Sequence, residues 1–135
     1  MQSIVSMSPE NEHRAILEYA GEVRFGPVYY LLTVDEISFR ERIFGGSYLW
    51  SPDSRFFAIQ EWETTNEAGG PQTKLLLIDL QKKRECVLSR AERGFIIPRK
   101  FEGKRLLYSK EYPGRGVVKE FDIEFLSLER WENIT

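Results

Sequence analysis

Three glutamates, Glu18, Glu61 and Glu111, each precede an aromatic residue, and three aspartates, Asp35, Asp79 and Asp122, recur with separations of 44 and 43 residues. Two carboxylates held at a defined separation can hydrolyse a glycosidic bond, one protonating the leaving oxygen while the other acts as base or nucleophile. A carboxylate that returns in successive copies of a repeat points instead to a hydrogen bond that each copy needs. Aspartate in particular accepts from nearby backbone N–H groups at turns. We therefore expect structural roles for all six. The lone histidine, His13, has no second imidazole with which to share a metal. The single cysteine, Cys86, lies in the apolar triplet "CVL" and reads as a core residue in a reducing compartment. The patterns H-E-x-x-H, C-x-x-C, G-x-S-x-G, G-x-x-x-x-G-K-[ST] and G-x-G-x-x-G are all absent. The expectation is a chain that is not an enzyme, with no catalytic set, no metal and no cofactor.

Charge offers two binding candidates. Net charge is −2, but residues 1–79 carry twelve acidic and six basic side chains, while residues 80–105 carry nine basic and three acidic. Within the basic stretch, Lys82, Lys83 and Arg84, together with Arg99, Lys100 and Lys104, form a candidate anion-binding rim. Phe101 is available there to stack on a base. Within the acidic part, the loop "ETTNEAGGPQ" is the longest irregular segment, and long loops often carry binding. Trp62, Glu63, Asn66 and Glu67 are its candidate partner contacts.

A repeated unit must position these groups. "SPENEHRAILEY" from Ser8 aligns with "SPDSRFFAIQEW" from Ser51 at an offset of 43, matching Ser-Pro, Ala-Ile and Glu-aromatic. Downstream, "LTVD" (Leu32 to Asp35) matches "LLID" (Leu76 to Asp79). A weaker third copy has "KRLLYSKEY" from Lys104 and "KEFD" ending at Asp122. A period near 43 indicates repeated supersecondary units of about four strands. The segments are short and rich in β-branched and aromatic residues, so strands are expected. The spacing places them at 3–7, 13–19, 28–35 and 37–44 in unit one, and at 47–50, 55–62, 74–79 and 84–88 in unit two. Unit three has them at 94–97, 104–112, 117–122 and 124–131. The runs "RFFAI" and "KLLLI" are continuously apolar, which suits strands covered on both faces. "HRAILEYAGEV" has helical propensity, yet its alignment to "FFAIQEW" makes it a strand.

"SPDSRFFAIQEW" followed by "KLLLIDLQKKRECVL" resembles the WD40-like repeat of TolB-type β-propellers, where a Ser-Pro-Asp turn leads into an apolar strand and an Ile/Val-Asp-Leu corner precedes the outer strand. Unit one has Glu10 in place of Asp53, and unit three keeps only Pro98 and Phe121-Asp122. The resemblance implies an all-β fold of three four-stranded antiparallel blade-like units, about 3–44, 47–88 and 94–131, in a single domain 1–135. A sandwich or barrel is the alternative. It carries over no catalytic residue.

Three units cannot close a ring of typical blade number, so apolar sheet faces should remain open at the ends. Such faces call for a heterologous protein partner or for a second copy, which would make a six-blade homodimer with a central small-ligand or hydrolytic site. A small chain with no catalytic set, exposed repeat ends and an acidic loop reads as a non-enzymatic protein-binding module. An inhibitor covering a basic partner is one form, such as an immunity protein against a nuclease toxin. Nucleic acid is the third choice of partner. The opening "MQSIVSMSPE" has neither a basic region nor a long apolar run, and no segment approaches the length of a membrane helix, so the expected location is cytoplasmic, without membrane contact.

Overall fold

The computed structural model describes residues 3–24, 26–66 and 68–134. Its strands are β1 (Ser3–Met7), β2 (Arg14–Glu22), β3 (Val28–Val34), β4 (Ile37–Ser38), β5 (Ile43–Trp50), β6 (Phe56–Trp62), β7 (Gln72–Asp79), β8 (Arg84–Glu92), β9 (Phe95–Glu102), β10 (Arg105–Tyr112), β11 (Val117–Glu124) and β12 (Glu132–Asn133). A 3-10 turn at Pro113–Arg115 is the only helical element among the described residues. The fold is all-β and antiparallel. No helix is long and apolar enough to cross a membrane.

The strands form two sheets, neither closed into a barrel. One runs β1-β2-β3-β5-β6-β7-β8-β12 with β4 on β3, and the other runs β11-β10-β9. Units one and two are therefore joined in one hydrogen-bonded sheet, through the single pairing Tyr30↔Phe44. Two other expectations are corrected. The strand expected at 37–44 ends at Ser38, and Ile43 already belongs to β5, because the Gly45-Gly46 bulge lets β5 extend back to pair with Trp62. A Cβ on Gly45 would lie 1.9 Å from Oε1 of Gln60, so glycine is required at that bulge. The strand expected at 124–131 does not form. Residues after Glu124 turn away with Phe125 buried in the core, and the chain returns only as β12, pairing with β8.

Alternation assigns two cores. Phe56, Ala58, Leu75 and Leu77 pack with Cys86, Ile96, Phe101, Leu106, Tyr108 and Phe125, so the β9–β11 sheet covers that side. Phe57, Ile59, Leu76 and Ile78 point to the other side, where they pack with Ala15, Leu17, Leu32 and Val34 of β2 and β3. Strands β6 and β7 are thus buried on both faces, which is why their sequences are continuously apolar and not alternating. Far-ultraviolet circular dichroism is expected to be strand-dominated; a helix content near one-third would contradict this fold.

The turns that open β2 and β6 share one bonding scheme. Ser8 N–H donates to the His13 carbonyl (2.8 Å) while its Oγ accepts from His13 N–H (3.0 Å). Ser51 N–H donates to the Phe56 carbonyl (2.9 Å) while its Oγ accepts from Phe56 N–H (2.9 Å). In each turn the fourth residue, Asn11 or Ser54, adopts positive φ.

Candidate functional site

The recurring aspartates each bond a side chain near the start of the preceding strand, but at different register positions: Asp79 is opposite Phe56, Asp122 is opposite Leu107, and Asp35 follows the end of β3. Asp35 accepts from Nδ1–H of His13 (2.9 Å) and from the Arg14 amide (3.0 Å). Asp79, fully buried, accepts from Arg55 through Nε (3.0 Å) and Nη2 (2.9 Å), from Arg84 Nε (3.0 Å), and from the Gln81 and Lys82 amides. Asp122 pairs with Arg105. In each case a side chain at the start of one strand, His13, Arg55 or Arg105, is tied to the end or middle of the next. His13 lies in a cleft of about 600 Å³ with Met7, Arg14, Glu36 and Lys83. Arg55 and Arg105 make charge-paired clasps to their aspartates, whereas the matched Ser8 and Ser51 turns place Phe56, not Arg55, at the position equivalent to His13.

The glutamates divide. Glu61 is buried and grips Arg42 through two hydrogen bonds of 2.9 and 2.8 Å, and Arg42 also reaches Glu85 at 3.0 and 2.7 Å. Burial works against that guanidinium's charge, but the two carboxylates outweigh it and hold the group protonated above its usual range. Glu111 pairs with Arg99 at 2.9 Å, and Glu18 is exposed on β2.

The candidate loop is largely occupied with its own structure. Trp62 is 4% exposed, and its indole N–H donates to Oε1 of Gln60 (2.7 Å), whose amide donates to the Ile96 carbonyl (3.0 Å). Trp62 is therefore an interior anchor. Glu63 is paired with Arg90. Asn66 Oδ1 accepts from Ala68 N–H (2.9 Å), and the Asn66 backbone N–H donates to Thr64 Oγ1 (2.9 Å). Glu67 lies outside the described residues.

The candidate basic rim is also divided. Lys82, Lys83 and Lys104 are exposed at turns. Arg84 is bound to Asp79 and stacks on Trp131 at 4.2 Å. Arg99 and Lys100 lie within β9, not at a hairpin end, and pair with Glu111 and Glu102 respectively. Phe101, the aromatic expected to stack, is 9% exposed and packs edge-on against Phe125, so it offers little face to a ligand.

The structure exposes a surface that sequence reasoning had not located. With Ile4, Leu17 and Leu32 turned inward, Val5, Met7, Ile16 and Leu31 share the outer face of β1–β3. Val5 is 60%, Met7 47% and Leu31 46% exposed, and Val5 is directly opposite Ile16. The outer face of β9–β11 carries instead the ion pairs Arg99–Glu111 and Arg105–Asp122. The signal was present in the alternation of "SIVSM", but alternation names two faces without saying which one is covered. Glu18 lies on this face opposite Leu31, and Glu10, Glu12, Glu22, Glu36 and Glu41 are also exposed among residues 3–41, against Arg14, Arg24 and Arg40, while Lys83 shares the cleft lined by Met7. Comparison with family models, curated proteins and solved structures finds no match for the chain.

Proposed function

We propose that the chain is a non-enzymatic protein-binding module, an inhibitor or immunity-type protein in function, whose outer β1–β3 face docks on an apolar patch rimmed by basic side chains. The observation that carries this reading is the exposure of Val5, Met7 and Leu31 on one face of β1–β3, in a sheet whose strands β6 and β7 are covered on both faces. Exposing contiguous apolar surface costs free energy in water, and such patches in folded proteins mark contact sites. The excess of glutamates around it favours a basic partner and would speed the encounter. Three blade-like units, as in TolB-type propellers, remain our reading of the repeat; the matched bonding of Ser8 and Ser51 supports it.

A photo-crosslinking residue at position 31, expressed in the source cells, should trap one basic protein, and added salt should weaken the capture. Leu31→Arg should weaken binding by about tenfold or more, while unfolding stability changes by less than about 0.5 kcal/mol because the side chain is exposed. Crosslinks to a second copy alone, with a salt-insensitive dimer in light scattering, would replace this reading with the homodimer.

A further inference from the structure

The inner-facing side of the β9–β11 sheet extends past the core and ends near a group of cations that outnumber the carboxylates beside them. Lys110 stands directly opposite Lys119 on β10 and β11. Like charges at directly opposed positions repel. Elsewhere on this sheet Arg99, Lys100 and Arg105 each pair with a carboxylate. Neither lysine makes an ion pair among the described residues.

Two residues along β10 from Lys110, and so on the same face, Tyr112 lines a cleft of about 360 Å³ with Glu92, Arg93, Gly114 and Arg115. Arg115 lies over the Tyr112 ring at 4.5 Å. Arg93 and Arg115 likewise make no ion pair among the described residues. On the other side of the lysines, Phe121 is 37% exposed, stacks on Tyr108 with centroids 5.4 Å apart, and has Nζ of Lys110 5.0 Å from its ring centre. Lys110, Lys119 and Phe121 on the sheet are thus followed, at its Tyr112 end, by the turn residues Arg93 and Arg115 beside the single carboxylate Glu92.

We propose that this strip binds nucleotides, with phosphates between Lys110 and Lys119 and along Arg93 and Arg115, and with bases against Phe121 and Tyr112. Ammonium and guanidinium groups neutralise phosphate, and an accessible ring stacks on any base. Burial and the neighbouring charge of Lys119 push the Lys110 ammonium below its ordinary range, a strain that a phosphate dianion at this place relieves. The site lies apart from the β1–β3 face and does not depend on the function proposed for it.

The test uses a fluorescein-labelled oligothymidylate of about eight nucleotides, a length that covers such a strip, and adenosine monophosphate as the second probe. Anisotropy should show oligothymidylate binding at about 50 mM salt, with affinity falling as salt rises at a slope near 0.7 per phosphate neutralised. Lys110→Gln together with Lys119→Gln should weaken binding by at least about tenfold, and Phe121→Ala should weaken it by about fivefold or more. Because Lys119 and Phe121 are exposed, Lys119→Gln and Phe121→Ala alone keep the test valid if the double variant misfolds. Equal affinity for both probes identifies a mononucleotide site, and tighter oligothymidylate binding identifies a single-strand site. Failure of both probes to bind, or an equal loss from Lys82→Gln with Lys83→Gln, overturns the proposal.

Discussion

Phe57→Ala is expected to lower unfolding stability by about 3–5 kcal/mol, among the largest effects of any single truncation in this fold. The ring has no exposed surface and meets Trp50 at 4.6 Å and Tyr48 at 5.5 Å. It fills the middle of the core between β2–β3 and β6–β7, with Ile59, Leu76 and Ile78 on its own side. Removing it forfeits the transfer free energy of the ring and leaves a cavity that the hydrogen-bonded strands on either side cannot easily close. Urea unfolding at neutral pH measures the loss. A value below about 1 kcal/mol would mean that the side chain is not enclosed as described.

Replacing Asp79 by Asn should cost a comparable amount, about 3–5 kcal/mol, for a different reason. The carboxylate is fully buried and is the shared counter-charge of Arg55 and Arg84. Without it, two guanidiniums converge on a neutral amide, and the Gln81 and Lys82 amides lose their charged acceptor. Burial on its own would raise the Asp79 pKa, but hydrogen bonds from Arg55, from Arg84 and from the Lys82 amide outweigh it and hold the carboxyl below its ordinary value. A carboxyl depressed in the folded state contributes stability that is fully present above its unfolded pKa of about 3.9 and is lost as pH falls through the lower folded value. Wild-type stability should therefore drop as pH falls below about 4, and Asp79→Asn should flatten that part of the profile. An unchanged acid limb in the variant would show that another carboxylate controls it.

These two residues also show how far the sequence reaches. That Phe57 lies in a buried strand follows from "RFFAI" alone, since an unbroken apolar run of strand length needs cover on both faces. That Asp79 is structural followed from its recurrence with Asp35 and Asp122. Its partners did not: Arg55 lies 24 residues away and Arg84 five residues away, and pairing with either depends on strand register.

Local chemistry determined the strand segments and the repeated Ser-Pro turns, because the Ser8 and Ser51 bonds close within five residues. It also determined the all-β class, since no segment sustains a helical period. Tertiary structure decided the rest. It turned residues 125–131 away from the sheet edge, because burying Phe125 against Phe56 and Phe101 gains apolar contact that a fourth strand there would forgo. It enclosed Phe101 and left Phe121 accessible, although both occur in strands of similar composition. It also left Val5 and Leu31 in water while their neighbours Ile4 and Leu32 entered the core. A period of two sorts side chains onto two faces, but which face meets another sheet depends on contacts between residues far apart in the chain, and no local pattern encodes those.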